Sequence, residues 1–198
     1  MNLPNKLSII RILMIPLMIA IFYIRAIPYN YTICAGIFAL ASLTDFLDGY
    51  IARKYNLVTD LGKFLDPIAD KVLVLCALIV MLTENAILGG PISTLNLGGF
   101  DSMLFGKIIG GVGVSIIVAR EMIVSVLRMM AAAKGKVLAA EKIGKIKTFT
   151  TDFAIIILLV AVDVIDLYYA GLALFVISVL LTLYSGIVYV VKNREVFK

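Results

Sequence analysis

Six long apolar stretches dominate this sequence and restrict the folds that it can adopt. Hydrophobic residues make up 62% of its 198 positions and charged residues only 16%, whereas soluble domains average about 45–50% and about 25%. A helix needs about 20 apolar residues to cross the hydrocarbon layer of a membrane. The composition therefore predicts an all-α, polytopic membrane protein that forms a single domain over residues 1–198. Its six predicted transmembrane helices lie at about 7–25, 31–53, 67–84, 107–131, 149–165 and 169–191.

The placement of lysine and arginine predicts the orientation of these helices. Thirteen of the 18 basic residues fall on the side of the two termini, and two, Arg25 and Lys107, fall on the other side. Basic loops are retained in the cytoplasm, so both termini are expected there and the chain is expected in the cell membrane. Residues 1–10 are expected to form a short interfacial segment before the first span, with Ile10 on its apolar stripe and Ser8 facing water.

Several classes of chemistry are excluded by composition. The sequence has no histidine, which rules out Ser-His-Asp and Cys-His catalysis and imidazole metal ligands. Cys34 and Cys76 lie within apolar runs, match no zinc spacing and are interpreted as small apolar residues. No nucleic-acid partner is expected.

Four aspartates lie where the second predicted helix ends and the third begins. Asp45 and Asp48 are three residues apart, and Asp66 and Asp70 are four apart, so each pair lies on one face of its helix. The connection is short, which makes the two helices antiparallel neighbours whose acidic faces can converge. Pro67 is expected to open the third helix, where its missing N–H costs little.

Four carboxylates in one pocket need compensating positive charge, because like charges oppose one another's ionisation. Oxygen ligands favour Mg²⁺ or Mn²⁺, and two such cations would neutralise the four aspartates. The neutral site can then accept a pyrophosphate, with Arg53 as a further counter-charge. Gly49 and Ala52 leave space for a phosphate or nucleotide to approach. The pattern indicates a displacement at phosphorus assisted by two metal ions.

This segment resembles the signature of the CDP-alcohol phosphotransferase family. The pattern D-x-x-D-G-x-x-A-R-x8-G-x-x-x-D-x-x-x-D is matched at all eight positions within residues 45–70. Residues 3–16, 119–128 and 141–150 resemble the bacterial members that form phosphatidylglycerophosphate. The resemblance implies transfer of a phosphatidyl group from CDP-diacylglycerol to sn-glycerol 3-phosphate, with release of CMP, by a homodimeric enzyme surrounded by membrane lipids.

The resemblance also assigns roles to the residues of the signature. It implies that all four aspartates hold metal and that Asp70 is, in addition, the general base that takes the proton from the attacking glycerol hydroxyl. The active site would face the cytoplasm. The residues that the resemblance places on CDP-diacylglycerol are Thr44, Asp48, Gly49, Ala52 and Arg53.

The acceptor phosphate needs fixed positive charge, and Arg120 is the first candidate. It lies about 20 Å from one end of its predicted span and about 17 Å from the other, so its guanidinium must face the bundle interior or a wet cavity. Arginine can hold a phosphate with two donors. The alternative is an ion pair with Glu121 or Asp45. Lys145 and Lys147 are further candidates, mainly on the resemblance, and the alternative for both is a role in topology and headgroup attraction.

Three other functions remain open at this point. Another CDP-alcohol enzyme, such as a phosphatidylinositol phosphate synthase or a cardiolipin synthase, would carry the same aspartate signature. An intramembrane prenyltransferase also uses aspartates and Mg²⁺, but such enzymes are generally larger and carry two separate acidic motifs. A cation transporter would need carboxylates near the middle of the membrane, whereas this cluster lies at the cytoplasmic end.

Overall fold

The chain forms a helical bundle in the computed structural model. The backbone is described for residues 3–54, 60–88, 102–135, 138 and 142–197, and the side chains for residues 6–44, 68–84, 87–88, 104, 106–135, 138 and 143–195. This part of the chain contains helices and turns and no strand, so the prediction of an all-α fold is confirmed.

Six of the described helices are long, and each corresponds to one predicted apolar stretch. The helices are α1 (Leu3–Tyr23), α2 (Asn30–Lys54), α3 (Asp60–Thr83), the short α4 (Asn85–Leu88), α5 (Ser102–Ala133), α6 (Lys142–Val160) and α7 (Tyr168–Lys192). Two 3₁₀ turns, Ile165–Leu167 and Arg194–Phe197, flank α7. Residues 89–101, between α4 and α5, lie outside the described part of the chain.

Three segments among the described residues are long and apolar enough to cross a membrane. They are Lys6–Tyr23, Gly106–Ala133 and Ile165–Lys192. A shorter apolar helical segment, Asn30–Thr44, belongs to α2 and ends where the described side chains of that helix end. Large apolar side chains such as Leu13 and Ile187 are exposed on the outer faces, as expected of a surface in contact with lipid. A six-span topology with cytoplasmic ends stays a prediction.

Polar contacts at one end of the bundle determine the direction of α2 and α3. The hydroxyl of Tyr31, near the start of α2, donates to Oε2 of Glu84, just beyond the end of α3, at 3.0 Å. Arg25 donates to the same oxygen at 3.0 Å. The start of α2 therefore lies beside the end of α3, and the expectation that these helices are antiparallel neighbours is confirmed.

The hydrophobic core lies between the long helices. α1 packs against α2 and α3, and α7 packs against α6 and α5. Phe38, Leu78, Leu158 and Phe175 are among the fully buried side chains that join these helices. A second, smaller cluster lies at the C-terminal end of α5 and consists of Val124, Leu127, Ala131 and Tyr189. The two clusters hold α5 in place on both sides of its charged middle.

The expectation that Pro67 opens the third helix is wrong. α3 begins at Asp60, so Pro67 lies inside the helix rather than at its first turn. Proline removes one backbone hydrogen bond there and disfavours the helix locally. Packing of α3 against α1 and α5 outweighs that local preference.

The expectation that residues 1–10 form a separate interfacial segment with Ser8 facing water is also wrong. α1 runs without a break from Leu3 to Tyr23, so the segment is not a separate element. Ser8 and Arg11 are fully buried, whereas Ile10 is 49% exposed. Ser8 and Arg11 face the bundle, because α1 packs on α2 and α3, whereas Lys6 is exposed.

Candidate active site

The acidic segments of α2 and α3 lie at the same end of the bundle. Tyr31 of α2 contacts Glu84 beside the end of α3, which sets the register of the two helices. Asp45 follows Tyr31 by 14 residues, and Asp70 precedes Glu84 by 14 residues. At 1.5 Å per residue this is about 21 Å in both helices, so positions 45 and 70 lie at about the same height.

Most side chains of the aspartate signature lie outside the described residues. They belong to Asp45, Asp48, Gly49, Ala52, Arg53 and Asp66, whose backbone is helical. Thr44, expected near CDP-diacylglycerol, is described and is half-buried. Its hydroxyl donates to the carbonyl of Ala41 at 2.7 Å, within α2. The roles expected for these positions stay predictions.

A small polar cavity lies between α3, α5 and α6, and Asp70 is part of its wall. Its volume is about 30 Å³. That is room for about one water molecule, so a glycerol phosphate would enter only if the walls move apart. The charged and hydroxyl side chains of the lining are Asp70, Lys71, Glu121, Lys147, Thr148, Thr151 and Asp152. Ionisable groups that converge on an internal cavity between apolar helices mark a functional site.

One side of this cavity is braced by a contact between α3 and α5. The ammonium group of Lys71 donates to the hydroxyl of Ser125. That hydroxyl in turn donates to the carbonyl of Glu121 at 2.5 Å, one turn earlier in α5. The residue next to Asp70 is thereby tied to the helix that carries Arg120.

Another part of the cavity wall holds two cations on one carboxylate. Oε1 of Glu121 accepts a hydrogen bond from Nη1 of Arg120 at 2.9 Å and another from Nζ of Lys147. Lys147 is 5% exposed and belongs to α6, so the carboxylate joins cations from two helices. Hydrogen bonds between charged groups of this kind are stronger than those between neutral groups.

The prediction that Arg120 faces the interior is confirmed, since its side chain is only 13% exposed. The alternative contact, an ion pair with Glu121, is also present. That pair uses Nη1, and Nε is buried with no acceptor among the described residues. The guanidinium therefore retains donors for a phosphate, and its role as an acceptor ligand stays a prediction.

The two candidate lysines of α6 differ in their environment. Lys147 is buried at the cavity, whereas Lys145 is exposed. Residues two apart on a helix point about 200° apart, so both cannot face the same cavity. The structure brings Lys147 to Arg120 and does not bring Lys145 to them among the described contacts.

Two features of this site were missed by the sequence reasoning. Glu121 was considered as a partner of Arg120 but not as a carboxylate shared with Lys147. Gly186 of α7 lies so close to Arg120 that a Cβ there would come within 2.9 Å of Cγ of Arg120. The adjacent charge of Glu121 was a visible signal, whereas nothing in the sequence links Gly186 to a residue 66 positions earlier.

The structure describes the side chain of only one of the four predicted metal ligands. No group of three or more acidic or cysteine side chains is close enough to hold a metal ion among the residues whose side chains are described. Asp70 is the one predicted ligand in that set. In donor chemistry the four predicted ligands suit Mg²⁺ or Mn²⁺, because all are hard carboxylate oxygens and both pairs lie one turn apart in their helices.

Long apolar helices around a buried ionic cavity define a membrane protein with an internal polar site. The family model described as CDP-alcohol phosphatidyltransferase matches residues 1–184. The chain belongs to this family, and the resemblance seen in the aspartate signature is confirmed.

Similarity to individual proteins extends over nearly the whole chain. Three such relatives carry the name CDP-diacylglycerol–glycerol-3-phosphate 3-phosphatidyltransferase. The one from Bacillus subtilis (strain 168) is 37% identical and aligns over 100% of this chain and 97% of its own length. Those from Rickettsia bellii and Salmonella choleraesuis are 39% and 35% identical, over 99% and 98% of this chain and 97% and 95% of their own lengths.

Proposed function

We propose that this chain transfers the phosphatidyl group of CDP-diacylglycerol to sn-glycerol 3-phosphate and forms phosphatidylglycerophosphate and CMP. The relatives named for this reaction match along nearly their whole length. The structural observation that carries the proposal is one cavity lined by Asp70, Lys147 and Glu121, whose carboxylate also binds Arg120. A proton acceptor and two cations in one site suit an acceptor with a hydroxyl and a phosphate.

The donor half of the site is proposed at the aspartate signature. Divalent cations are general in the family, and Asp45, Asp48, Asp66 and Asp70 would hold two of them. Bound there, the cations would stabilise negative charge on the pyrophosphate. The positions proposed to hold the CDP moiety are Thr44, Asp48, Gly49, Ala52 and Arg53.

The reaction is proposed as a single displacement at the phosphatidyl phosphorus. The acceptor hydroxyl oxygen forms the new P–O bond while the bond to CMP breaks, and CMP departs with that electron pair. Asp70 takes the hydroxyl proton, because it lines the same cavity as Lys147, one of the proposed phosphate ligands. Arg120 and Lys147 are proposed to hold the acceptor phosphate, whereas Lys145, which is exposed and faces away from the cavity, is left out of this group.

The proposed setting is the cell membrane, with six spans, both termini in the cytoplasm and the site facing the cytoplasm. The bias of basic residues toward one side supports this orientation. The lipid donor would enter from the bilayer and the charged acceptor from water. A homodimer is proposed from the resemblance alone.

The identity of the acceptor separates this proposal from its nearest alternatives. Purified protein in detergent is expected to release CMP from CDP-diacylglycerol with glycerol 3-phosphate, and not with inositol 1-phosphate, serine or phosphatidylglycerol. Preference for inositol 1-phosphate or for phosphatidylglycerol would assign the chain to another branch of the family. Family membership gives no support to a prenyltransferase or a cation transporter.

Removal of divalent cations is expected to stop the reaction. Chelation with EDTA should lower CMP release at least about 100-fold, because the pyrophosphate charge would lose its counter-ions. Added Mg²⁺ or Mn²⁺ should restore it, and Ca²⁺ serves as a comparison ion of the same charge. Turnover that persists in EDTA, after dialysis against the chelator, would contradict the metal-dependent mechanism.

A further inference from the structure

Glu121 has no part in the displacement described above, yet it joins the two proposed phosphate ligands. Its Oε1 atom accepts hydrogen bonds from both Arg120 and Lys147, and its side chain is only 18% exposed. Arg120 and Glu121 are neighbours in α5, whereas Lys147 lies in α6. The carboxylate is therefore the described link that sets the position of the α6 cation relative to the α5 cation.

Because both cations are buried, they need the carboxylate of Glu121 between them. Two cations that share one oxygen lie close enough to repel each other strongly, and their side chains are only 13% and 6% exposed to solvent that would screen the repulsion. A carboxylate between them offsets the repulsion and gives each cation a directed hydrogen bond. Without the negative charge, the two side chains would move apart or turn toward water.

Two glycines of neighbouring helices lie beside Arg120. A Cβ at Gly186 of α7 would lie 2.9 Å from Cγ of Arg120, which is closer than such atoms approach. A Cβ at Gly144 of α6 would lie 3.6 Å from Nη2, which is ordinary contact. The stem of Arg120 thus passes against the bare backbone of α7, and its head lies beside the start of α6.

We propose that Glu121 and Gly186 are positioning residues, which hold Arg120 and Lys147 at the separation that the acceptor phosphate requires. Glu121 does so through charge and hydrogen bonds, and Gly186 through the space that it leaves for the arginine stem. The inference rests on the proposed function for the identity of the acceptor. It concerns how the phosphate ligands are held, and not which residue performs the displacement.

The first test replaces Glu121 by glutamine, which keeps the shape and removes the charge. Glu121→Gln is expected to raise the KM for glycerol 3-phosphate at least tenfold and to change kcat and the KM for CDP-diacylglycerol less than threefold. The inhibition constant of inorganic phosphate should rise in parallel. Glu121→Asp, which keeps the charge, should restore part of the acceptor affinity.

The matched control is Glu84→Gln. Glu84 also pairs with an arginine, Arg25, at 3.0 Å, but at the opposite end of the bundle. The Glu84→Gln variant should leave the KM values for glycerol 3-phosphate and CDP-diacylglycerol unchanged. An acceptor KM within twofold of wild type in Glu121→Gln would overturn the proposal. An equal rise in both KM values would do the same, since it would indicate a general structural defect.

The second test changes the space around Arg120 and leaves every charge in place. Gly186→Ala is expected to displace the arginine stem and to produce the same selective rise in acceptor KM, by about fivefold or more. Gly36→Ala is the control, since a Cβ there meets nothing within 4 Å. A normal acceptor KM in Gly186→Ala would remove Gly186 from the proposal.

Failure of the proposed function would be distinguishable from failure of this inference. If wild-type protein prefers inositol 1-phosphate, the function is wrong, but inhibition by inorganic phosphate still reports on the same cations. The inference then stands if Glu121→Gln weakens that inhibition. It fails if inorganic phosphate inhibits wild type and Glu121→Gln equally, or inhibits neither.

Discussion

Replacing Asp70 by asparagine is expected to lower kcat by about 100- to 10,000-fold, the range that general acid–base catalysis contributes. This corresponds to about 2.7–5.4 kcal/mol of transition-state free energy. Asparagine has nearly the same shape but cannot accept the proton of the attacking hydroxyl. The position supports this role, because Asp70 lines the cavity that Lys147 borders and lies one turn from Asp66.

The measurement is single-turnover CMP release at saturating donor and acceptor. Asp163→Asn is the matched control, because Asp163 accepts hydrogen bonds from Thr32 at the other end of the bundle. A titration with Mg²⁺ separates the two proposed roles of Asp70. Rescue by high Mg²⁺ would assign it to metal binding alone, and wild-type turnover in Asp70→Asn would exclude it from both roles.

The second large effect is expected for Arg120→Ala. The KM for glycerol 3-phosphate should rise about 10- to 100-fold, since a hydrogen bond to a charged group is worth about 1.5–3 kcal/mol. The KM for CDP-diacylglycerol should change little. The acceptor KM of Arg120→Lys should lie between those of wild type and Arg120→Ala, because an ammonium group keeps the charge but lacks the planar set of donors that matches a phosphate.

Initial rates with each substrate varied in turn provide this test. Arg25→Ala is the control, because Arg25 also pairs with a glutamate but has a side chain that is 80% exposed at the other end of the bundle. Thermal unfolding in detergent shows whether Arg120→Ala is folded, and Arg120→Gln replaces it if it is not. A larger rise in the donor KM than in the acceptor KM would place Arg120 on CDP-diacylglycerol instead.

These two residues are connected through one cavity, because Asp70 lines it and Arg120 pairs with Glu121, which also lines it. Asp70 belongs to α3, the helix that also carries Asp66 of the proposed donor site. Arg120 and Lys147 belong to α5 and α6, which carry the proposed acceptor ligands. In the proposed mechanism, α3 is therefore the helix shared by both halves of the site.

Local patterns in the sequence predicted a large part of this arrangement. Apolar runs of transmembrane length predicted the six long helices, because a helix satisfies its backbone hydrogen bonds within its own segment. The spacing of the aspartates predicted which of them share a face, and the signature identified the family before the fold was known. Prediction failed at Pro67 and at Ser8, where packing against other helices outweighs local preference.

The long helices, the family and the residues of the aspartate signature follow from sequence patterns, because each depends on spacing along a single segment. Three contacts could be seen only in the folded chain: Lys147 rather than Lys145 is buried at the cavity, Glu121 holds two cations, and Gly186 borders Arg120. These contacts depend on the rotation and separation of α5, α6 and α7. Packing sets both quantities, and it joins residues that are 26 and 66 positions apart.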